Sequence, residues 1–212
     1  MLEGVSPDTV AVKKRVLVLF AHPALEKSRV NRVLIRDLDR IEGVTFHDLY
    51  EAYPDFDVDV EREQALLVEH DVIVLHHPFF WYSTPPLIKQ WEDLVLEHGW
   101  AYGREGTALR GKVMMSAITT GGREVAYQPG GHNRFTIAEL LRPIEQTAVL
   151  CGLDYLPPFV VYGTHGMPQH EIAAHAADYH RTLRALSRGT LNLEAARKYD
   201  RINAELNAIL EE

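Results

Sequence analysis

Residues 71–86 read DVIVLHHPFFWYSTPP. The opening DVIVLH is a near-continuous apolar run of strand length, the pattern of a strand buried on both faces. It gives way to Pro78, then to Phe79, Phe80, Trp81 and Tyr82, then to Pro85 and Pro86. Aromatic rings at the end of a buried strand are costly to leave wet. Their crowding there predicts that something flat covers them.

On either side of this stretch the pattern alternates. EREQALLVEH precedes it and LIKQWEDLVLEH follows it, both with helical spacing of apolar residues. Further upstream, RVLVLF (15–20) and VTFHDL (44–49) read as strands. Between them Val30, Val33, Leu34, Leu38 and Ile41 predict one helix. Downstream come the strand KVMMSAIT (112–119), the helix TIAELLRPIEQTAVL (136–150), the strand PFVVYG (158–163) and a helix over about 169–186. Five strand–helix units in alternation imply an α/β fold. The expected form is a flavodoxin-like three-layer sandwich over residues 15–187, with a five-stranded parallel sheet in the order 2-1-3-4-5 and helices on both faces.

The ends of the chain read differently. Residues 1–14 lack the basic start and apolar centre of a signal peptide and are expected to be a disordered lead-in. In 188–212, Ala196, Tyr199, Ile202, Leu206 and Ile209 predict a further amphipathic helix. It either packs on its own subunit or lies across a subunit interface.

The 212 residues are 46% hydrophobic and 25% charged, with a net charge of -8. This suits one domain with a large core and argues against a nucleic-acid binder, which needs a basic face. A single cysteine, Cys151, allows no internal disulfide and predicts a reducing, cytoplasmic setting. No apolar run is long enough to insert in a bilayer, so any membrane association is expected to be peripheral, through a partner.

In an open parallel sheet, ligands bind beyond the carboxyl ends of the strands. Three loops lie there. The first, AHPALEKSRVN (21–31), offers His22, Ser28 and Asn31 as donors, with Ser28 at a presumptive helix start. It carries no glycine-rich dinucleotide fingerprint, no P-loop and no acidic pair for a metal. No metal-ligand set is read anywhere in the chain. The second loop is the aromatic stretch, a stiff shelf for a ring system or else core filling under a loop. The third, TTGGREVAYQPGGHNR (119–134), has Thr119, Thr120, Gly121 and Gly122, whose backbone N–H groups can receive charge developing on a ring. Tyr127 and His132 follow on the same loop.

Together these segments resemble a family. LVLFAHP with SRVN, LYEAYPDFDVD, HPFFWYSTPPLIKQW, HGWAYG, ITTGG and CGLDYLPPF occur in the order found in the flavodoxin-like NAD(P)H:quinone oxidoreductases. The nearest likeness is to the glutathione-regulated potassium-efflux ancillary oxidoreductases. The resemblance implies FMN or FAD as cofactor, FMN favoured in that branch, with NAD(P)H as co-substrate. By position, His22 with Ser28, Arg29, Val30 and Asn31 would hold the flavin phosphate and ribityl chain. Pro78, Phe79, Phe80 and Trp81 would flank the isoalloxazine ring. Thr119, Thr120, Gly121 and Gly122 would bond its pyrimidine edge. Tyr127 and His132 match the pair that assists hydride transfer in relatives. Their spacing is one residue shorter than in the animal enzymes, and Phe80 stands where many relatives have glutamine.

The implied activity is two-electron, ping-pong reduction of a quinone by a homodimer. An ancillary role, activating a potassium-efflux antiporter, is the alternative. A single-electron carrier is disfavoured, since a carrier needs neither the Tyr127–His132 loop nor the aromatic helix LIKQWEDLVLEHGW.

Overall fold

The computed structural model describes residues 12–210. The chain runs β1 (Val16–Phe20), α1 (Asn31–Leu34), β2 (Val44–Asp48), α2 (Leu49–Ala52), α3 (Val60–Glu69), β3 (Val72–Pro78), α4 (Pro86–Val95) and β4 (Val113–Thr119). It continues through α5 (Ile137–Leu140), α6 (Arg142–Leu150), β5 (Asp154–Tyr155), β6 (Phe159–Val161), α7 (Gln169–Arg188), α8 (Leu193–Ala196) and α9 (Leu206–Ile209).

All strand pairings are parallel and the order is β2-β1-β3-β4-β5, as expected. The fifth position holds two short strands instead of one. Both β5 and β6 pair with β4, and Pro157 and Pro158 separate them. Proline has no N–H for the ladder, so the strand is interrupted there.

β1, β3 and β4 are buried along their whole length. Alternate residues serve opposite layers. Val16, Val18, Val72 and Val74 join α1, α7 and the C-terminal segment. Leu17, Leu19, Ile73 and Leu75 join α3, α4 and α6. Each such side chain contributes roughly 1.5–3 kcal/mol by leaving water.

Three elements depart from the sequence pattern. The helix expected from Val30 to Ile41 is only one turn, α1, followed by a 3-10 turn at Leu38–Arg40. The His180 ring bonds the Leu34 carbonyl oxygen at 3.1 Å, an oxygen that a continuous helix would offer to Leu38. Asp37 then turns left-handed at φ 58°. Val30, Leu34, Leu38 and Ile41 are nonetheless all buried, so the apolar face survives the break.

The C-terminal segment is likewise not one helix. It forms α8, a 3-10 turn at Ile202–Ala204, and α9. Tertiary bonds replace the helical ones. Ile202 N–H donates to the Pro158 carbonyl at 2.9 Å. The Asn203 side chain accepts from Val160 N–H at 2.9 Å and donates to Val160 C=O at 2.8 Å. Ala196, Ile202, Leu206 and Ile209 are buried in the molecule's own core, which is the first of the two arrangements the periodicity allowed.

Of the lead-in expected over 1–14, residues 1–11 lie outside the described residues. Lys14 already belongs to the fold, its N–H donating to Ser187 C=O at 2.8 Å. Trp91 is a core residue, 2% exposed, and its indole N–H donates to Glu63 at 2.8 Å. Burial raises the Glu63 pKa, but hydrogen bonds from His47, Tyr53 and Trp91 outweigh it and hold the carboxyl below its ordinary value.

Candidate functional site

A cavity of about 570 Å³ opens where β1, β3 and β4 end. Of the cofactor residues expected from sequence, all but Thr120 and Gly122 line it. The sheet register is the reason. Phe20 pairs with His76, and Pro78 with Thr119, so three loops leave the sheet side by side.

One end of the cavity is rich in donors. His22 is nearly buried, and its Nδ1 accepts from Ala24 N–H at 3.1 Å. The ring proton therefore sits on Nε2. Burial lowers the His22 pKa, which favours a neutral ring. Ser28 Oγ accepts from the Asn31 backbone N–H and from Asn31 Nδ2, both at 3.1 Å. Ser28 thus holds the N–H of the first residue of α1, although the residue at the helix boundary is Val30. With α1 only four residues long, the helix dipole expected there is small, and the side chains carry the polarity. Arg29 lines the cavity while its guanidinium donates to Met167 C=O at 3.1 Å.

At the floor lies a polar chain. Asn31 Nδ2 also donates to Thr119 Oγ1 at 3.0 Å, and Asn31 Oδ1 accepts from His76 Nε2 at 3.1 Å. His76 is fully buried, and desolvation holds its pKa at about 3. It is a neutral donor, so Nδ1 carries no proton, and Nδ1 has no partner among the described residues.

The aromatic stretch divides in two. Phe79 is core, 7% exposed, with its N–H bonded to Thr119 C=O at 2.8 Å. Phe80 and Tyr82 are half exposed and Trp81 is 93% exposed. Phe80 stands edge-on to His22 at 5.8 Å. Trp81 and Tyr82 both have left-handed backbones, φ 49° and 63°. Such conformations cost about 1–3 kcal/mol each and cluster at ligand sites. Tyr82 OH donates to Asn133 Oδ1 at 3.2 Å, tying the second loop to the third.

At the third loop, Thr120 is buried and its hydroxyl donates to Gly122 C=O at 2.8 Å. Gly121 lines the cavity against His165, and a Cβ there would run into that ring. Tyr127 packs over Gly122 and lies 5.8 Å from the Tyr162 ring. Burial raises its phenol pKa, keeping it protonated as a donor. Neither Tyr127 nor His132 lines the cavity: Tyr127 is half-buried beside Gly122, and His132 is exposed farther along the loop.

Sequence reasoning missed Lys27, Thr164 and His165, which also line the cavity. The last two sit in GTHG, directly after β6. The strand-end rule that selected the other three loops extends to this one.

A family model described as flavodoxin-like fold matches residues 14–183. The uncharacterized NAD(P)H oxidoreductase YrkL of Bacillus subtilis is 48% identical over 158 residues, 74% of this chain and 91% of its own. A solved NADPH-quinone reductase from P. pentosaceus superposes with a TM-score of 0.72 at 33% identity, covering 79% of this chain and 96% of that one. The chain belongs to the flavodoxin-like NAD(P)H quinone oxidoreductase family.

Two further members of this family are similar to it. The glutathione-regulated potassium-efflux system ancillary protein KefG of Serratia proteamaculans is 48% identical over 165 residues, 78% of this chain and 90% of its own. The general stress protein 14 of Treponema denticola, solved in complex with FMN, has a TM-score of 0.77 at 38% identity and covers 81% of this chain and 99% of that one. The family match ends before α8, so the C-terminal segment lies outside it.

Proposed function

We propose that the protein binds FMN in this cavity and reduces quinones with NAD(P)H by two-electron, ping-pong transfer. The observation that carries the reading is the order of groups along the cavity: donors, then an aromatic wall, then a backbone edge. His22, Ser28, Arg29 and Asn31 suit a phosphate and a polyol chain. Pro78, Phe79, Phe80 and Trp81 suit a flat ring. The backbone from Thr119 to Gly122 suits that ring's polar edge, and His165 stands against it at Gly121. FMN is favoured over FAD because a similar protein, the general stress protein 14 of Treponema denticola, was solved in complex with FMN.

Bound flavin would supply the capacity to take a hydride from NAD(P)H and hand two electrons to a quinone. The protein's part is to hold the ring still, to exclude water from its buried side, and to place donors where charge develops. Tyr127, kept protonated by burial, is assigned as such a donor, with His132 as its loop partner. The FMN complex of the Treponema denticola relative supports the cofactor, and the names of the other relatives support the co-substrates.

A homodimer completes the reading. Trp81, Phe80, Tyr82, Val125 and Phe135 leave exposed apolar surface on the loops around the site, and a second subunit would cover it. The buried Trp91 and the docked C-terminal segment do not contribute to that surface. The second reading is an ancillary subunit of a potassium-efflux antiporter, favoured by the similarity to KefG. Among the described residues no helix is long and apolar enough to cross a membrane, so a cytoplasmic protein reaching the membrane through its partner is the form this reading takes.

The test is an absorbance spectrum after incubation with FMN, followed by NAD(P)H and a quinone in turn. Flavin absorbance that bleaches with NAD(P)H and returns with quinone supports the reading. A protein that stays colourless and keeps its Tm in the presence of FMN overturns it. Light scattering gives the subunit number, and co-purification with an antiporter decides the second reading.

A further inference from the structure

The C-terminal segment reaches the third loop of the site through one residue. Arg201 forms a two-pronged ion pair with Glu124, Nη2 lying 3.2 Å from Oε2. Its guanidinium also sits over the Tyr162 ring, 5.5 Å from the centroid. Both contacts lead to Tyr127. The Glu124 carbonyl accepts the Tyr127 backbone N–H at 2.9 Å, and the Tyr162 ring lies 5.8 Å from the Tyr127 ring. Arg201 is itself held firmly, because its neighbours Ile202 and Asn203 are bonded to the backbone of Pro158 and Val160. The Arg201 side chain is 23% exposed and that of Glu124 56%, so the pair lies at the surface and adds little to stability by itself; what it can do is hold the loop in place.

We propose that Arg201 is a positioning residue for hydride transfer, and that the segment carrying it is a clasp that fixes Tyr127 against Gly122. The inference rests on the assignment of Tyr127 as a donor. It goes beyond what similarity supplies, since Arg201 lies outside the residues the family model matches. A loop residue such as Tyr127 is otherwise free to sample other positions, and small misplacements of a catalytic group cost rate steeply. Arg201 suits the role because a planar guanidinium can pair bidentately and stack on a ring at once, which lysine cannot do.

The experiment is stopped-flow reduction of the FMN-loaded protein by saturating NAD(P)H. Arg201→Ala is expected to slow reduction roughly tenfold with an unchanged Kd for FMN. Arg201→Lys is expected to recover only part of that loss. In a Tyr127→Phe background, Arg201→Ala is expected to have no further effect, which a general loss of stability would not reproduce. Should Arg201→Ala fold poorly, Glu124→Gln breaks the same link from the other side and is read identically. If Tyr127→Phe is slow while the Arg201 and Glu124 variants match the parent, the clasp is refuted and the Tyr127 assignment stands. Equal slowing by Arg201→Ala in both backgrounds also refutes it. Parent-like rates in Tyr127→Phe itself overturn the Tyr127 assignment and the clasp with it.

Discussion

Asn31 and Thr119 are far apart in sequence, yet Asn31 Nδ2 donates to Thr119 Oγ1 at 3.0 Å, at the floor of the cavity that both line. Asn31 is 3% exposed and also holds Ser28 and His76. It is therefore the knot between the first loop and the end of β4. Replacing it by alanine strands several buried polar atoms at once. Asn31→Ala should cost about 1–3 kcal/mol in urea denaturation, and should weaken FMN binding because Ser28 keeps only the backbone N–H of its two donors from residue 31. A variant with parent stability would show that the knot is dispensable.

Acid should destabilise the protein in a defined window. Unfolded, His76 and His77 take up protons near the ordinary pKa of about 6.5. Folded, burial keeps them neutral down to about 3 and about 4. Between these limits the unfolded state holds more protons. Stability from the two rings is therefore complete above pH 6.5 and declines as pH falls below it, by about 1.4 kcal/mol per pH unit for each ring. Urea denaturation at pH 7.5, 6 and 5 measures the slope. His77→Gln should reduce it by about one proton's worth.

FMN binding should carry its own pH dependence through His22. Burial lowers the pKa of this ring, whose Nδ1 accepts from Ala24 N–H; a phosphate beside it favours the protonated form, which Nδ1 can adopt only by giving up that bond. The complex then binds more protons than its parts, so affinity rises as pH falls, by at most about tenfold per pH unit. The rise should be shallower in His22→Gln and absent for riboflavin, which has no phosphate. Fluorescence titration from pH 8 to pH 6 compares the three cases.

Tyr127→Phe should keep FMN and slow its reduction roughly a hundredfold, the usual effect of removing one donor to a developing charge. His132→Ala tests the other half of the pair. Because His132 is exposed, whereas Tyr127 is half-buried against Gly122, the His132 effect on reduction should be the smaller of the two. Trp81→Ala, at the outer wall, should instead raise the Kd for FMN. A His132 variant slower than the Tyr127 variant would reverse this ordering.

The sheet was legible because β1 and most of β3 and β4 are apolar runs, and most of the cavity was legible because it lies at their ends. What escaped was set by contacts distant in sequence. Nothing around Leu34 announces that His180 will take its carbonyl. The spacing of Ala196, Tyr199, Ile202, Leu206 and Ile209 is genuinely amphipathic, but bonds from Val160 and Pro158 pull the backbone out of a helix. Nothing in the spacing of LIKQWEDLVLEH announces that Glu63 will hold the Trp91 indole N–H. Tyr127 and His132 were both read from motif position, and position along a loop does not fix how near either side chain comes to the cavity.

The Asn203 clamp has a consequence for the molecule in a crowd. A sheet ends in a row of unsatisfied N–H and C=O groups, and such a margin is a template on which another chain can add. β6 is the last strand on its side, and Asn203 saturates both backbone groups of Val160 with a side chain instead of a strand. A side chain passes nothing on, because it presents no new row of groups for the next molecule to copy. The C-terminal segment therefore closes this edge of the sheet as well as filling the core beside it. Chains cut before residue 190 would expose an open, hydrophobic margin and would be drawn toward one another.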